Sequence, residues 1–192
     1  MKRRISVAVA IIMLLAASLS AAPLFQIGGL VSYNKSIADI KEDEGVVLSF
    51  GNFSLGADAR LTLFKHLNLD IPATIGFGEG NFTIATIPTV NFNLPITPFF
   101  DLAVGAGTQL DFVRSDGAWS VNGREFDSFG EAIASSKLVY RAALTVNVTM
   151  VSIGLSAVFP GSETFNGGDV LGIFTPSWEN SRISASVLFN FL

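Results

Sequence analysis

The sequence predicts an all-β fold, an eight-stranded antiparallel up-and-down transmembrane β-barrel, on three observations. Eight segments alternate apolar with small or polar residues at a two-residue period, most clearly the last one, residues 182–192. Short connections alternate with long ones, and the chain begins with a segment typical of an export signal. A transmembrane barrel turns its apolar side chains to lipid and its polar ones to the lumen, the reverse of a soluble sheet.

The first 20 residues have the three parts of a secretory signal peptide. Met1–Arg4 is basic, Ile5–Leu19 is apolar, and small residues follow. The apolar part is shorter than the ~20 residues of a spanning helix. Because Pro23 directly after a cleavage site is unfavourable, we expect cleavage after Ser20 rather than Ala22. The prediction is a signal peptide over 1–20 and one barrel domain over 21–192.

Composition excludes several classes of protein. Without Lys2, Arg3 and Arg4, nine basic residues face 16 acidic ones, which argues against nucleic-acid binding. The chain has no Cys, so disulfides, zinc-thiolate sites, Cys nucleophiles and a lipoprotein anchor are excluded. With a single His, a transition-metal site is not expected, nor is any other cofactor. No run of 18 apolar residues follows the signal, so the apolar surface is expected to meet lipid as a closed barrel.

Each of the eight predicted strands is close to the ~9–11 residues that a tilted transmembrane strand needs, or longer. Their even number is typical of bacterial barrels. They span 24–34, 46–64, 67–77, 82–94, 99–112, 138–148, 151–159 and 182–192. Alternation assigns Leu61, Leu144 and Val187 to the lipid face. It assigns Ser54, Thr145 and Ser186 to the lumen face.

The connections give the barrel two different ends. Tight turns are predicted at 64–66, 95–97 and 149–150, and long loops at 35–44, 113–136 and 160–180. Short periplasmic turns and long outer loops are the expected asymmetry, and they place both termini on the periplasmic side. Aromatic residues gather at both rims, as in the two aromatic girdles of such barrels. The inner group is Phe25, Phe64, Phe100, Phe189 and Phe191, and the outer group is Tyr33, Phe77, Phe82, Phe112, Tyr140 and Phe159.

Two prolines stand in the middle of predicted strands, where they cannot donate ladder hydrogen bonds. If Glu79–Gly80 is a two-residue turn, Pro72 pairs with Ile87 and Pro88 with Ile71. We therefore expect a bulge or a local kink in this hairpin.

Two stretches resemble the small eight-stranded outer-membrane barrels of the OmpA/OmpX-type and OmpW-like families. Residues 97–107 have a Pro-aromatic start followed by alternating Gly. The last strand resembles the assembly signal of these barrels, with Val187, Phe189 and Phe191 on one side, although here Leu192 follows the final aromatic. The resemblance implies a monomer in the outer membrane of a diderm bacterium, in contact with outer-membrane lipid and, during assembly, with the barrel-insertion machinery.

Seven charged residues are predicted in the lumen: Asp58, Arg60, Asp70, Asp101, Asp111, Arg141 and Arg182. A barrel of eight strands is just wide enough to be filled by its own side chains. Unpaired buried charges are costly, so the prediction is a paired network that closes the lumen. A gated ion path stays open as an alternative. A hydrophobic conduit is a third, because several apolar residues also fall on the lumen side: Leu30, Ile87, Phe99, Val139, Val158 and Leu188.

No enzymatic activity is expected. The only histidine, His66, falls in a tight turn at the inner end and is predicted to be an exposed turn residue. Outer-membrane lipid hydrolases of this size use a His–Ser arrangement near the outer leaflet, which a histidine at the inner rim cannot provide. The acidic loop residues Asp39, Glu42, Asp43 and Glu44 could touch Ca²⁺, but solvated loop charge is the preferred interpretation.

The function predicted from the sequence is structural, with surface interaction through the long outer loops. The loops carry aromatic residues that are candidates for contacting a surface ligand: Trp119, Phe126, Phe165, Phe174 and Trp178. The simpler interpretation is that these rings rest on the membrane interface. The alternative function is porin-like transport, a narrow channel or conduit for small, possibly hydrophobic, solutes. A soluble lipocalin-like barrel is disfavoured because Asp, Arg and Asn would then face outward.

Overall fold

The computed structural model describes residues 23–43, 45–78, 81–115, 117–125 and 128–191, so the predicted signal peptide lies outside the described residues. Most of this chain is strand. The strands are β1 (Phe25–Tyr33), β2 (Phe53–Phe64), β3 (Leu67–Gly78), β4 (Asn81–Thr86), β5 (Thr89–Thr97), β6 (Phe100–Ser115), β7 (Ala118–Val121), β8 (Arg124–Glu125), β9 (Lys137–Val148), β10 (Val151–Thr164) and β11 (Arg182–Phe191). The helices are α1 (Ile37–Glu42), α2 (Phe129–Ala134) and α3 (Val170–Phe174), with a 3₁₀ turn at Phe50–Asn52. Within the described ranges, no helix has the length and apolar character needed to cross a membrane.

The strands close into a ring with eight positions. β1 pairs with β2 on one side and with β11 on the other, and the pairing continues through β10, β9 and β6. The eighth position is shared by β4 and β5, which both bridge β3 and β6. All these pairs are antiparallel, so the wall is an up-and-down barrel and the predicted fold class is confirmed. Closure satisfies the backbone hydrogen bonds that a membrane cannot satisfy.

The apolar side of the wall faces outward. Leu144 is 41% exposed while its neighbour Thr145 is 4% exposed. Leu61 and Val187 are likewise exposed, and Ser186 is buried. A soluble sheet would show the opposite arrangement, so the barrel is of the transmembrane type. The lipocalin-like alternative is wrong for the same reason.

The proline pair lies in the predicted register. Ala73 is opposite Thr86 and Asp70 is opposite Thr89, so Pro72 faces Ile87 and Pro88 faces Ile71. The Ile87 amide still donates to the Pro72 carbonyl oxygen at 3.1 Å. Pro88 has no N–H to continue the ladder. The expected irregularity is the interruption between β4 and β5; the predicted turn residues Glu79 and Gly80 lie outside the described residues.

The predicted start of the second strand and the predicted turn at 95–97 are wrong. The second strand begins at Phe53 rather than at 46, because residues 46–49 run outside the ladder and end in the 3₁₀ turn. The predicted tight turn at 95–97 is part of β5, and the turn lies at 98–99 instead. Thr97 fixes it there, because its Oγ1 accepts hydrogen bonds from the amides of Phe99 and Phe100, at 3.2 and 3.1 Å. Phe99 is therefore an exposed turn residue and does not face the lumen.

The outer end, which carries the long loops, has structure of its own. β6 and β10 extend to Ser115 and Thr164, beyond the predicted strand ends. Above Gln109, where its pairing with β9 ends, β6 pairs with β7 at Phe112 to Ser115. Leu110, Val121 and Ala132 form a small apolar cluster beside this junction. The long loop after β6 is thus packed against the wall.

The outward and inward faces predict different effects of substitution at adjacent positions. Leu144→Arg places a cation on the lipid face, which costs roughly 2–4 kcal/mol near the bilayer midplane. Thr145→Ser keeps a hydroxyl at the neighbouring inward position and is expected to cost less. Denaturant titration of protein folded into lipid vesicles measures both changes in the free energy of unfolding. Equal losses for the two variants would contradict the assignment of faces.

Candidate functional site

Four charged side chains meet inside the barrel. Asp58 and Arg60 come from β2, Asp70 from β3 and Arg141 from β9, and none is more than 6% exposed. β2 and β9 are four positions apart in a ring of eight, on opposite sides of the lumen. These side chains project inward from opposite walls, and they meet because the lumen of an eight-stranded barrel is narrow. We call these four residues the lumen cluster.

Each carboxylate of the lumen cluster is shared by both arginines. Asp58 Oδ2 lies 3.2 Å from Arg60 Nη2 and 3.9 Å from Arg141 Nη2. Asp70 Oδ2 lies 3.0 Å from Arg60 Nε and also accepts a hydrogen bond from Arg141 Nη1. Two acids and two bases alternate, so the cluster is neutral as a whole. Pairing of this kind is what allows charges to leave water.

A threonine completes the connection across the lumen. Arg60 Nη1 donates to Thr145 Oγ1 on β9 at 3.0 Å. Two hydrogen bonds therefore cross the lumen, from Arg60 to Thr145 and from Arg141 to Asp70, beside the ion pair of Asp58 with Arg141. Thr145 was assigned to the lumen from the sequence, but nothing in the sequence marked it as a partner of Arg60.

The lumen cluster keeps unused hydrogen-bonding capacity. Among the described residues, Asp58 Oδ1, Asp70 Oδ1 and Arg141 Nε have no hydrogen-bond partner. Arg60 Nε is near Asp70 but is not aligned for a hydrogen bond. Buried polar atoms of this kind are normally satisfied by ordered water.

Room for the lumen cluster comes partly from a glycine that sequence reasoning did not single out. At Gly154, a Cβ would lie 2.7 Å from Ser186 Oγ and 3.2 Å from Arg60 Nη2. A side chain at this position would therefore push against the guanidinium group. The sequence showed only that this glycine lies on the lumen side of β10, and it did not show that Arg60 needs the space.

Three of the seven predicted lumen charges are not part of the lumen cluster. Asp101 accepts a hydrogen bond from Asn147 instead of joining the arginines. Asp111 accepts from Gln109 Nε2 at 2.7 Å, near the outer end. Arg182 begins β11 at the outer rim and is exposed there. Asp70 is the second carboxylate of the lumen cluster because it stands directly beside Arg60 on the neighbouring strand.

A second polar network fills the inner end. Gln26 Nε2 donates to Ser152 Oγ at 3.1 Å and to Asn190 Oδ1 at 2.6 Å. Ser152 Oγ donates to Asn147 Oδ1 at 2.6 Å, and Asn147 reaches Asp101. Asp101 therefore belongs to a chain of amides and hydroxyls, separate from the ion pairs of the lumen cluster.

Apolar side chains fill further parts of the interior. Those predicted to face inward and found buried are Leu30, Val139, Val158 and Leu188. Ile87 lies at the break between β4 and β5 and is only partly buried. The interior thus combines ion pairs, amide networks and aliphatic packing.

The other predicted site residues occupy the rims. The side chains of Val187, Phe189 and Phe191 are all exposed on the outer face of β11, and Phe191 packs against Phe25 with ring centroids 6.1 Å apart. His66 is partly buried rather than exposed; its Nδ1 lies 3.1 Å from the Asn93 carbonyl oxygen. No group of three or more His, Cys, Asp or Glu in the described part of the chain could hold a metal ion.

The acidic loop residues have structural partners. Asp39 and Ser36 cap α1 reciprocally: the Ser36 amide donates to Asp39 Oδ2 at 2.7 Å and the Asp39 amide to Ser36 Oγ at 3.3 Å. The hydrogen bond from the Ser36 backbone lowers the pKa of Asp39. Asp43 pairs with Lys35, and this hydrogen bond raises the pKa of Lys35. Glu42 is exposed on α1, and Glu44 lies outside the described residues.

Both tryptophans of the loops pack on rings of the wall. Trp178 meets Phe159 with ring centroids 4.7 Å apart, and Trp119 meets Phe82 at 6.4 Å. Phe165 and Phe174 are exposed, and Phe126 lies outside the described residues. Trp119 and Trp178 thus contact different strands of the outer rim, β4 and β10.

The class of protein that this ring and its faces define is the small eight-stranded transmembrane β-barrel. Short turns connect the strands at one end of the barrel, and long loops connect them at the other.

Solved structures with a similar fold include the N-terminal β-barrel domain of OprF from Pseudomonas aeruginosa, with 12% identity over 87% of this chain and 96% of that chain and a TM-score of 0.49. Neisserial surface protein A, NspA, has 13% identity over 87% and 97%, with a TM-score of 0.44. Ail of Yersinia pestis has 18% identity over 86% and 93%, with a TM-score of 0.41. No family model matches the chain, and no curated protein matches it significantly in sequence.

The lumen cluster predicts strong coupling between Asp70 and Arg141. Asp70→Ala leaves two arginines with one carboxylate and is expected to cost ~3–5 kcal/mol if burial is full. Adding Arg141→Ala restores a balanced pair, so the double variant should lose less than the sum of the two single variants, by about 0.5–3 kcal/mol. Unfolding titrations in lipid vesicles measure all three variants.

Asp111 offers a matched control for this cycle, because it lies outside the lumen cluster. Asp111→Ala and Arg141→Ala should be additive in the free energy of unfolding. Additivity of Asp70→Ala with Arg141→Ala as well would contradict the cross-lumen pairing.

Proposed function

We propose that this protein is a closed, non-conducting barrel of the outer membrane, exported through its signal peptide, with a structural role and with surface interactions made by its outer loops. The observation that carries the proposal is the lumen cluster. Its ion pairs connect strands across the inside of the barrel. The proposed role is neither catalytic nor transport.

The lumen cluster supports closure for an energetic reason. An ion that crossed the barrel would have to separate arginine from aspartate in a region sheltered from water. Breaking such a pair leaves an uncompensated buried charge, which costs several kcal/mol. The amide network at the inner end and the inward aliphatic side chains occupy further parts of the lumen.

The charge of the outer end supports an interaction role with a positively charged partner. Residues 34–52, 79–80, 113–136 and 162–181 hold twelve acidic and four basic residues. A surface of this sign attracts cationic groups and repels polyanions. Ail has been solved with the heparin analogue sucrose octasulfate, and the acidic outer end of the present chain disfavours a ligand of that kind.

A hydrophobic conduit is the alternative function, and one observation favours it. Leu30, Val139, Val158 and Leu188 give part of the interior an apolar lining. Such a lining suits a hydrophobic solute better than an ion. For transport, however, the lumen cluster would have to open.

Ion conductance in planar lipid bilayers tests closure. We expect the unaltered protein to show no conducting steps in potassium chloride. The variant Arg60→Ser/Arg141→Ser removes both cations of the lumen cluster and is expected to conduct cations, because Asp58 and Asp70 then remain unneutralised. Its folded state can be checked beforehand by the mobility difference between heated and unheated protein in gel electrophoresis.

A variant that lacks residues 118–134 and 165–180 separates the wall from the loops. It should remain closed, because closure lies in the wall, but it should bind oligolysine more weakly, because the deleted segments hold five of the twelve acidic residues of the outer end. Steady conductance by the unaltered protein would contradict the proposal and favour a gated ion path instead. Binding of heparin in preference to oligolysine would contradict the interaction role.

A further inference from the structure

Three loop segments lie against the outside of the barrel rather than over its mouth. Tyr33 Oη donates to the Val47 carbonyl oxygen at 3.3 Å, and Tyr140 Oη donates to the Phe174 carbonyl oxygen at 2.9 Å. Trp178 packs on Phe159, and Trp119 packs on Phe82. We call the loop residues held in this way, 46–50, Trp119 and 170–178, the outer collar.

The residues that anchor the outer collar face outward, as their neighbours show. Tyr140 lies between Val139 and Arg141, which are both buried inside the barrel. Phe159 follows the buried residue Val158. Because side chains alternate along a strand, both rings must project from the outer face of the wall. The loop segments bound to them therefore lie beside the barrel.

α3 approaches the wall closely enough to require a glycine. A Cβ on Gly161 of β10 would lie 2.6 Å from the Ile173 carbonyl oxygen. Ile173 is buried, whereas Val170, Leu171 and Phe174 of the same short helix are exposed. α3 therefore packs one side on the barrel and presents its remaining apolar side chains outward.

The outward side of the outer collar is strongly apolar. Leu48, Phe50 and Leu171 are 82%, 87% and 78% exposed. Residues 46–50 and 170–178 contain no charged residue, while Asp169 and Glu179 flank the second segment. Exposed apolar surface of this kind costs about 25 cal/mol per Å² in water.

The outer collar is continuous with the lipid-facing surface of the barrel. Its contacts fall on β1, β4, β9 and β10, in three sectors of the ring. Each contact lies at the outer ends of these strands, directly above the exposed apolar side chains of the wall. Trp and Tyr at this level are typical of the membrane interface.

We propose that the outer collar lies in the outer leaflet of the membrane, at the boundary between headgroups and acyl chains. Its occupant is the lipid surface, not a second copy of the chain or a protein ligand. Apolar side chains that project beside a membrane-embedded wall are covered by that lipid without any further partner. The inference goes beyond the proposed function and leaves the acidic parts of the loops as the surface that faces a ligand.

Tryptophan fluorescence tests the proposal directly, because Trp119 and Trp178 are the two tryptophans of the chain. Trp119→Phe leaves Trp178 as the single reporter. In phosphatidylcholine vesicles, we expect its emission to be blue-shifted and quenched by lipids brominated near the headgroup end of their acyl chains. Quenching by aqueous iodide should be weak. Strong iodide quenching without lipid quenching would overturn the proposal.

Two control positions calibrate the depth scale in a background with Trp119→Phe and Trp178→Phe. Leu144→Trp places a reporter on the lipid face of β9, where quenching by lipids brominated near the end of their chains should dominate. Lys41→Trp places one on α1, where iodide quenching should dominate. Trp178 should fall between these two positions.

A second measurement does not depend on the tryptophans. The chain has no cysteine, so Leu171→Cys can carry an environment-sensitive fluorophore at a single site. Its emission should be blue-shifted in vesicles and independent of the protein-to-lipid ratio. A blue shift that appears only at high protein density would assign the outer collar to contacts between copies and overturn the lipid assignment. An emission like that of free dye in water would overturn it as well.

Discussion

Closure of the strand ring is the constraint on which the rest of this structure depends. Backbone groups inside a membrane have no water to bond with, so the first strand must find the last. The pairing of Phe25 with Phe191 through Ser32 with Ser184 meets this need. Once the ring is closed in this register, every second side chain must project into a narrow lumen. The lumen cluster, the inner amide network and Gly154 are consequences of that crowding.

The sequence was sufficient for features that depend on local periodicity. Alternation predicted the eight wall strands and their two faces, and the spacing of Pro72 and Pro88 predicted the register of their hairpin. Alternation did not predict one turn position and one strand boundary. The hydroxyl of Thr97 moves a turn to 98–99, and residues 46–48 are apolar like those of a strand but lie outside the ladder.

The partners of the lumen charges could not be predicted from the sequence, because they depend on the ring as a whole. Arg141 meets Asp70 only because β9 stands across the narrow lumen from β2 and its neighbour β3, in a ring whose strands tilt relative to the barrel axis. Asp101 accepts a hydrogen bond from Asn147 instead. Because Asn147 is neutral, counting charged residues does not identify it as a partner. The short helices of the outer loops also escaped prediction, since a helix of five or six residues is marginal without capping or packing. The helix α1 has a capping box, and α2 and α3 each have buried residues.

The central claim is that the wall is apolar outside and filled inside, and Val187 and Leu188 test it most directly. Both are aliphatic neighbours on β11, one exposed and one fully buried. Nuclear Overhauser effects between lipid acyl chains and side-chain methyl groups can be measured for protein in lipid nanodiscs. We expect such effects to the methyl groups of Val187 and none to those of Leu188. Equal effects at both residues, or effects at Leu188 alone, would contradict the account.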